Sequence, residues 1–102
     1  MKARNKMATN IELKIPVLFF QEGKKVIAYS PALDLSSCGD TEQQARKRFG
    51  EAVVIFLTEI HKMGTTEEVL EECGWHKIPN KHTWSPPTYR SSEELVKIPA
   101  GV

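Results

Sequence analysis

The stretch Pro31-Ala32-Leu33-Asp34-Leu35-Ser36-Ser37-Cys38-Gly39-Asp40-Thr41 decides the fold of this chain. Leu33 to Ser37 reads as a short strand, and the residues after it read as the entrance to a helix. Thr41-Glu42-Gln43-Gln44 has capping-box spacing: the Thr41 hydroxyl is placed to accept from the third helical N–H, and Gln44 is placed to reach back. Glu42 falls in the electropositive first turn, and Asp40 falls where a carboxylate meets the helix dipole. Nothing in this joint is laid out as catalytic machinery, which points to a small domain that works through its surface.

Downstream, the helix is predicted to run to about Lys62. Ala45, Phe49, Ala52, Val53, Phe56 and Ile60 recur at three- and four-residue steps and form one core-facing stripe. Arg46, Lys47 and Arg48 point away from it. Val54, Ile55 and Leu57 widen the apolar arc beyond what one sheet face covers. Gly64 ends the helix. Thr65 and Glu68 have the spacing of a second capping box, opening a short helix lined by Val69, Leu70 and Cys73. Gly74 closes that helix, with Trp75 placed to fold back as the hydrophobic contact after the glycine.

Upstream, Ile11, Leu13, Ile15, Val17 and Phe19 alternate with Glu12, Lys14 and Pro16, the pattern of a half-buried strand, with Leu18 and Phe20 added near its end. Pro16 has no N–H, so this strand is expected at an edge or with a bulge. Glu22-Gly23 marks a turn, and Lys25–Ser30 resumes with Val26, Ile27, Ala28 and Tyr29, giving a hairpin. The expected fold is therefore α+β: a three- to four-stranded, mainly antiparallel sheet packed by one long helix and one short helix. Residues 1–8 read as a flexible extension, with Met7 as a second plausible start, and 9–78 as the domain. Residues 79–102 form an extended C-terminal arm punctuated by Pro79, Pro86 and Pro87. Trp84, Tyr89 and Leu95-Val96-Lys97-Ile98 give that arm an apolar content that asks to be docked, on its own domain or on a second subunit.

A chain of 102 residues holds one modest core. Its formal net charge of +1 gives no bulk push toward nucleic acid or membrane, and no apolar run reaches the roughly 20 residues of a spanning helix. Cys38 and Cys73 read as reduced thiols of a cytoplasmic protein.

Each candidate chemistry has a plainer reading beside it. Asp34, Asp40 and Glu51, with Glu59, are the acids available for a metal-dependent nuclease, but a two-metal site needs acids converging on ions about 4 Å apart. Asp40 is already explained by the helix entrance, and Glu51 and Glu59 by a solvated ion-pair face with Arg48 and Lys62 in reach. Cys73 and His76, with His82 and Cys38 or His61, offer zinc-type ligands without the paired spacing of a zinc motif. Ser36, Ser37 and Cys38 stand near a helix N-terminus, where a thiol pKa can fall, but no histidine adjoins them in sequence. No phosphate-binding glycine motif occurs. No catalytic residue, metal or cofactor is expected. Arg46-Lys47-Arg48, Lys77, Lys81 and His82, with Trp75 and Trp84, could serve a nucleic-acid surface, but Glu67, Glu68, Glu71 and Glu72 balance them.

From Pro31 to Ala52 the chain resembles the HicB family of prokaryotic antitoxins. The positions that carry the likeness are Pro31, Leu33, Asp34, Gly39, Asp40, Thr41, Gln44, Ala45, Glu51 and Ala52. The hairpin with Tyr29 and the second helix ending Leu70-Glu71-Glu72-Cys73-Gly74-Trp75 are similar too, so the likeness covers about residues 11–75. It implies a partial ribonuclease-H-like fold without the nuclease acids, used to cover a small basic HicA-like toxin that cleaves messenger RNA. Family members commonly add a C-terminal DNA-binding domain. Residues 76–102 are too short and too proline-broken for one, so the likeness is to a stand-alone HicB-like domain. The surplus apolar positions Val54, Ile55 and Leu57, with Trp84, Tyr89, Leu95, Val96 and Ile98 on the arm, are the expected interface, either to that toxin or in a homo-oligomer (dimer or tetramer).

Overall fold

The computed structural model describes residues 12–81 and 83–101. The proposed extension at 1–8, together with Ile11 and His82, lies outside the described residues. The fold is α+β, as the alternation and helix stripe predict: a three-stranded antiparallel sheet packed by one long and one short helix. Strands β1 (Leu18–Glu22), β2 (Lys25–Ser30) and β3 (Leu35–Gly39) form a meander in the order β1-β2-β3. Helix α1 (Glu42–Lys62) crosses one face of the sheet, and α2 (Thr66–Glu72) follows it. A two-stranded ribbon, β4 (His76–Lys77) with β5 (Trp84–Ser85), completes the described elements.

Two strand boundaries differ from the sequence reading. The first strand was expected from Ile11, but the ladder begins only at Leu18, two residues after Pro16, which cannot donate to it. Residues 12–17 keep the expected alternation without being part of the sheet: Leu13, Ile15 and Val17 pack against the core, while Glu12 and Lys14 are exposed. The third strand starts at Leu35 rather than Leu33. Asp34 stands in the left-handed region at φ 54°, which ends the turn after β2 and leaves Leu33 buried ahead of the strand.

Register fixes what faces the helix. Phe19 pairs with Ala28 and Ala28 with Ser37, and directly opposed residues share a face. That face meets α1: the Ser37 hydroxyl donates to the Ala45 carbonyl at 2.9 Å, and the Arg46 guanidinium lies 4.6 Å from the centre of the Phe19 ring. Ala45, Phe49 and Val53 of the predicted stripe are buried there with Ala28, Ala32 and Leu33, and Ile60 is buried one to two turns further along the helix. Gly39 is where strand and helix come closest, since a Cβ on it would stand 2.7 Å from the Ala45 nitrogen.

The helix ends follow their local chemistry. Thr41 Oγ1 accepts from the Gln44 N–H at 3.1 Å, and Gln44 Oε1 accepts from the Asp40 N–H at 2.7 Å, so Gln44 reaches back one residue further than the standard box. At the other end Gly64 sits at φ 74°, with Thr65 N–H donating to Ile60 and Gly64 N–H to His61, a Schellman motif. The same pair of bonds recurs after α2, from Trp75 to Leu70 and from Gly74 to Glu71, and brings Trp75 onto Leu70 in the core. The second capping box does not form. Thr65 makes no side-chain cap bond, and its hydroxyl turns back toward the Ile60 carbonyl at 3.4 Å.

Candidate functional site

The residues expected to form an interface separate into two groups. Val54, Leu57 and Trp84 come together on one groove of about 750 Å³, lined also by Leu13, Ile15, Val53 and Leu70 and by the polar Thr58, His61 and Thr66. Ile55 belongs to the same surplus arc, but it is exposed and outside the groove. The arm meets α1 at this groove through Trp84. Its root is docked: β5 pairs with β4, Trp84 is partly buried, and Pro87 packs on Gly74, where a Cβ would stand 3.2 Å from the proline ring. Tyr89 lines a smaller hollow with Lys14, Ile15, Pro16 and the two prolines. From Thr88 to Gly101 every residue is exposed, Leu95 at 92% and Val96 and Ile98 at 72% each.

A second apolar surface went unassigned in the sequence reading. Leu18 pairs with Tyr29 and Phe20 with Ile27, on the sheet face away from α1. Leu18 is 56% and Phe20 47% exposed, and among the described residues no helix covers that face. The signal was present as Leu18 and Phe20 in the polar phase of the first strand's alternation, a pattern that marks a strand apolar on both faces.

The acids considered for catalysis are held apart, each with its own partner. Asp34 accepts from the Tyr29 hydroxyl at 3.2 Å, Asp40 pairs with Lys25 at 2.6 Å, and Glu51 lies 3.7 Å from Lys47 rather than beside Arg48. The hydrogen bond and charge of Lys25 hold the Asp40 carboxyl below its ordinary value, and the Asp40 carboxylate raises the Lys25 ammonium in turn. The hydrogen bond to Asp34 raises the Tyr29 phenol. Burial pushes the Cys73 thiol up, as suits a side chain packed against the core rather than a nucleophile. Cys38 is exposed on β3, and both described thiols are free. Among the described residues no three His, Cys, Asp or Glu side chains gather to hold a metal ion.

The basic cluster on α1 is also engaged internally. Arg46 pairs with Glu42 at 2.7 Å while stacking on Phe19, so it does not simply point away from the core. Arg48 donates from Nη1 to the Cys38 carbonyl at 3.1 Å, covering part of the β3 edge. Lys77 pairs with Glu67 at 2.6 Å. No helix among the described residues is long and apolar enough to cross a membrane. Compared with protein-family models, with curated proteins and with solved structures, the chain matches none.

Proposed function

We propose that this chain is a non-catalytic protein-interaction module of the HicB-like kind, and that it binds and blocks a small basic HicA-like toxin that cleaves messenger RNA. The observation that carries the reading is the uncovered sheet face. A three-stranded sheet closed by a helix on one side presents the exposed Leu18 and Phe20, beside the half-buried Ile27 and Tyr29, on the other. Clustered exposed apolar side chains of this kind mark an interaction surface rather than a surface adapted to water. The separate pairing of Asp34, Asp40 and Glu51 favours binding over cleavage, because a nuclease centre needs its carboxylates convergent. The identity of the partner comes from the resemblance at Pro31 to Ala52.

Co-expression with each short basic protein encoded beside this one tests the reading. The expected result is restored growth and a co-purifying pair, both lost in the Leu18→Lys/Phe20→Lys double variant, which leaves the helix-side core untouched. Absence of any neighbouring protein that this chain binds and neutralises would sink the antitoxin reading.

A further inference from the structure

The groove beside α1 and the arm beyond Pro87 are the two halves of a contact that do not meet within one chain. The groove is mainly apolar, with Thr58, His61 and Thr66 also on its lining, and its volume of about 750 Å³ lies inside the roughly 300–1,000 Å³ span of clefts that enclose a ligand. Two features show what kind of occupant it suits. One wall is the extended segment 12–17, which carries Leu13 and Ile15 into the groove. It lies outside the three-stranded sheet, and its Glu12 carbonyl accepts from the Thr83 hydroxyl at 3.4 Å. The other is Thr66, at the same groove, whose Oγ1 is buried without a partner. A mainly apolar lining, a strand-like wall outside the sheet and an orphaned hydroxyl together suit an extended polypeptide that adds as a strand.

We propose that the C-terminal arm of a second copy of this chain fills the groove. Its Leu95-Val96-Lys97-Ile98 runs beside residues 12–17 and places its aliphatic side chains against Val54, Leu57 and Trp84. The exchange is reciprocal, each copy giving an arm and receiving one, which closes the pair about a two-fold axis. The proposal stands apart from the toxin reading and rests on no part of it.

The arm does not serve its own groove because its exit is fixed. Pro86 and Pro87 stiffen the chain where it leaves β5, and Pro87 is seated on Gly74. The next residue in contact, Tyr89, lines the smaller hollow with Lys14, Ile15 and Pro16. Past that point the arm runs exposed. The N-terminal residues are the poorer occupant: Met1 to Ile11 offer Met1, Met7 and Ile11 scattered among Lys2, Arg4 and Lys6, with no aliphatic run.

The test is the mass in solution of the full chain and two full-length variants, by light scattering after gel filtration. Leu95→Asp/Ile98→Asp disables the arm, and Val54→Asp, at an exposed position of α1, disables the groove; circular dichroism checks that both fold. The native chain is expected at twice its 11.5 kDa mass, and each variant alone at the single-chain mass. An equimolar mixture of the two variants is expected to recover pairs, since one intact arm then meets one intact groove. A native monomer, as when the chain's own N-terminus fills the groove, overturns the proposal. So does a dimer that survives the arm substitutions, which would place the contact on another face, and so does a mixture that remains monomeric.

Discussion

The indole Nε1 of Trp75 donates a 2.8 Å hydrogen bond to the carbonyl of Ala32, tying the end of α2 to the turn that precedes β3. Both residues are buried, Trp75 at 1% exposure. Trp75→Phe keeps most of the packing but strands the buried carbonyl, which is expected to cost roughly 1–3 kcal/mol. Trp75→Ala adds a cavity and is expected to cost about 3–5 kcal/mol. Urea unfolding followed by the fluorescence of the remaining Trp84 measures both, and an unchanged m-value would confirm that the native state, not its unfolded reference, is affected.

Gly39 and Gly50 are predicted to respond to alanine in opposite directions. At Gly39 the new Cβ meets backbone, the Ala45 nitrogen at 2.7 Å, which cannot step aside without parting strand from helix. The expected loss is about 1–3 kcal/mol. At Gly50, inside α1, a Cβ meets nothing within 4 Å. Alanine there restricts the unfolded chain and is expected to gain about 0.5–1 kcal/mol. Thermal melts of the two variants side by side give the contrast; equal shifts would contradict the close approach at Gly39.

The α1 entrance carries a measurable cap. Thr41→Ala removes the acceptor for the Gln44 N–H and is expected to cost about 1 kcal/mol. Thr65→Ala is expected to cost less, because Thr65 makes no side-chain cap bond to α2. A Thr65 variant that proved as damaging as the Thr41 variant would contradict the geometry at the start of α2.

The Lys25–Asp40 pair sets a pH dependence whose sign follows from its two shifts. Asp40 titrates below its ordinary 3.8 in the folded chain, so its contribution is complete above that value and is lost as pH falls through the lowered one. Lys25 titrates above its ordinary 10.5, so its contribution is complete below 10.5 and is lost as pH rises through the raised value. Both groups are exposed, so the effect on stability is small and is screened by salt. The direct measurement is the Asp40 carboxyl titration by NMR. Lys25→Met is expected to return it toward the ordinary value, and an unmoved titration would remove Lys25 as the cause.

The elements that local chemistry dictates were legible in the sequence. The Thr41 cap, the helix stripe from Ala45 to Ile60, and the glycine closures at Gly64 and Gly74 are each written within a few neighbouring residues, and each appears as read. Strand ends were less legible. Pro16 was a visible obstacle, but whether the chain before it joins the sheet depends on a neighbour the sequence does not name. Thr65 and Glu68 had the spacing of a cap without its geometry, because the tight turn after Gly64 sends the Thr65 hydroxyl toward Ile60 instead. The residues expected at an interface were legible only as surplus apolar groups. Their division between groove and arm was not, since it depends on the direction in which Pro86 and Pro87 launch the chain.

The meander pairs strands that are neighbours along the chain, β1 with β2 and β2 with β3, and α1 folds back onto β3 and β2. Such a topology closes short loops and can assemble early, even during synthesis. The arm follows all of these elements in the chain, so it emerges from the ribosome after the residues that make the groove. If two copies exchange arms as proposed, folding of the domain and joining of the copies are separate events, the first within one chain and the second dependent on concentration. In the proposed pair, abundance in the cell, rather than folding speed, sets how much of the protein is joined.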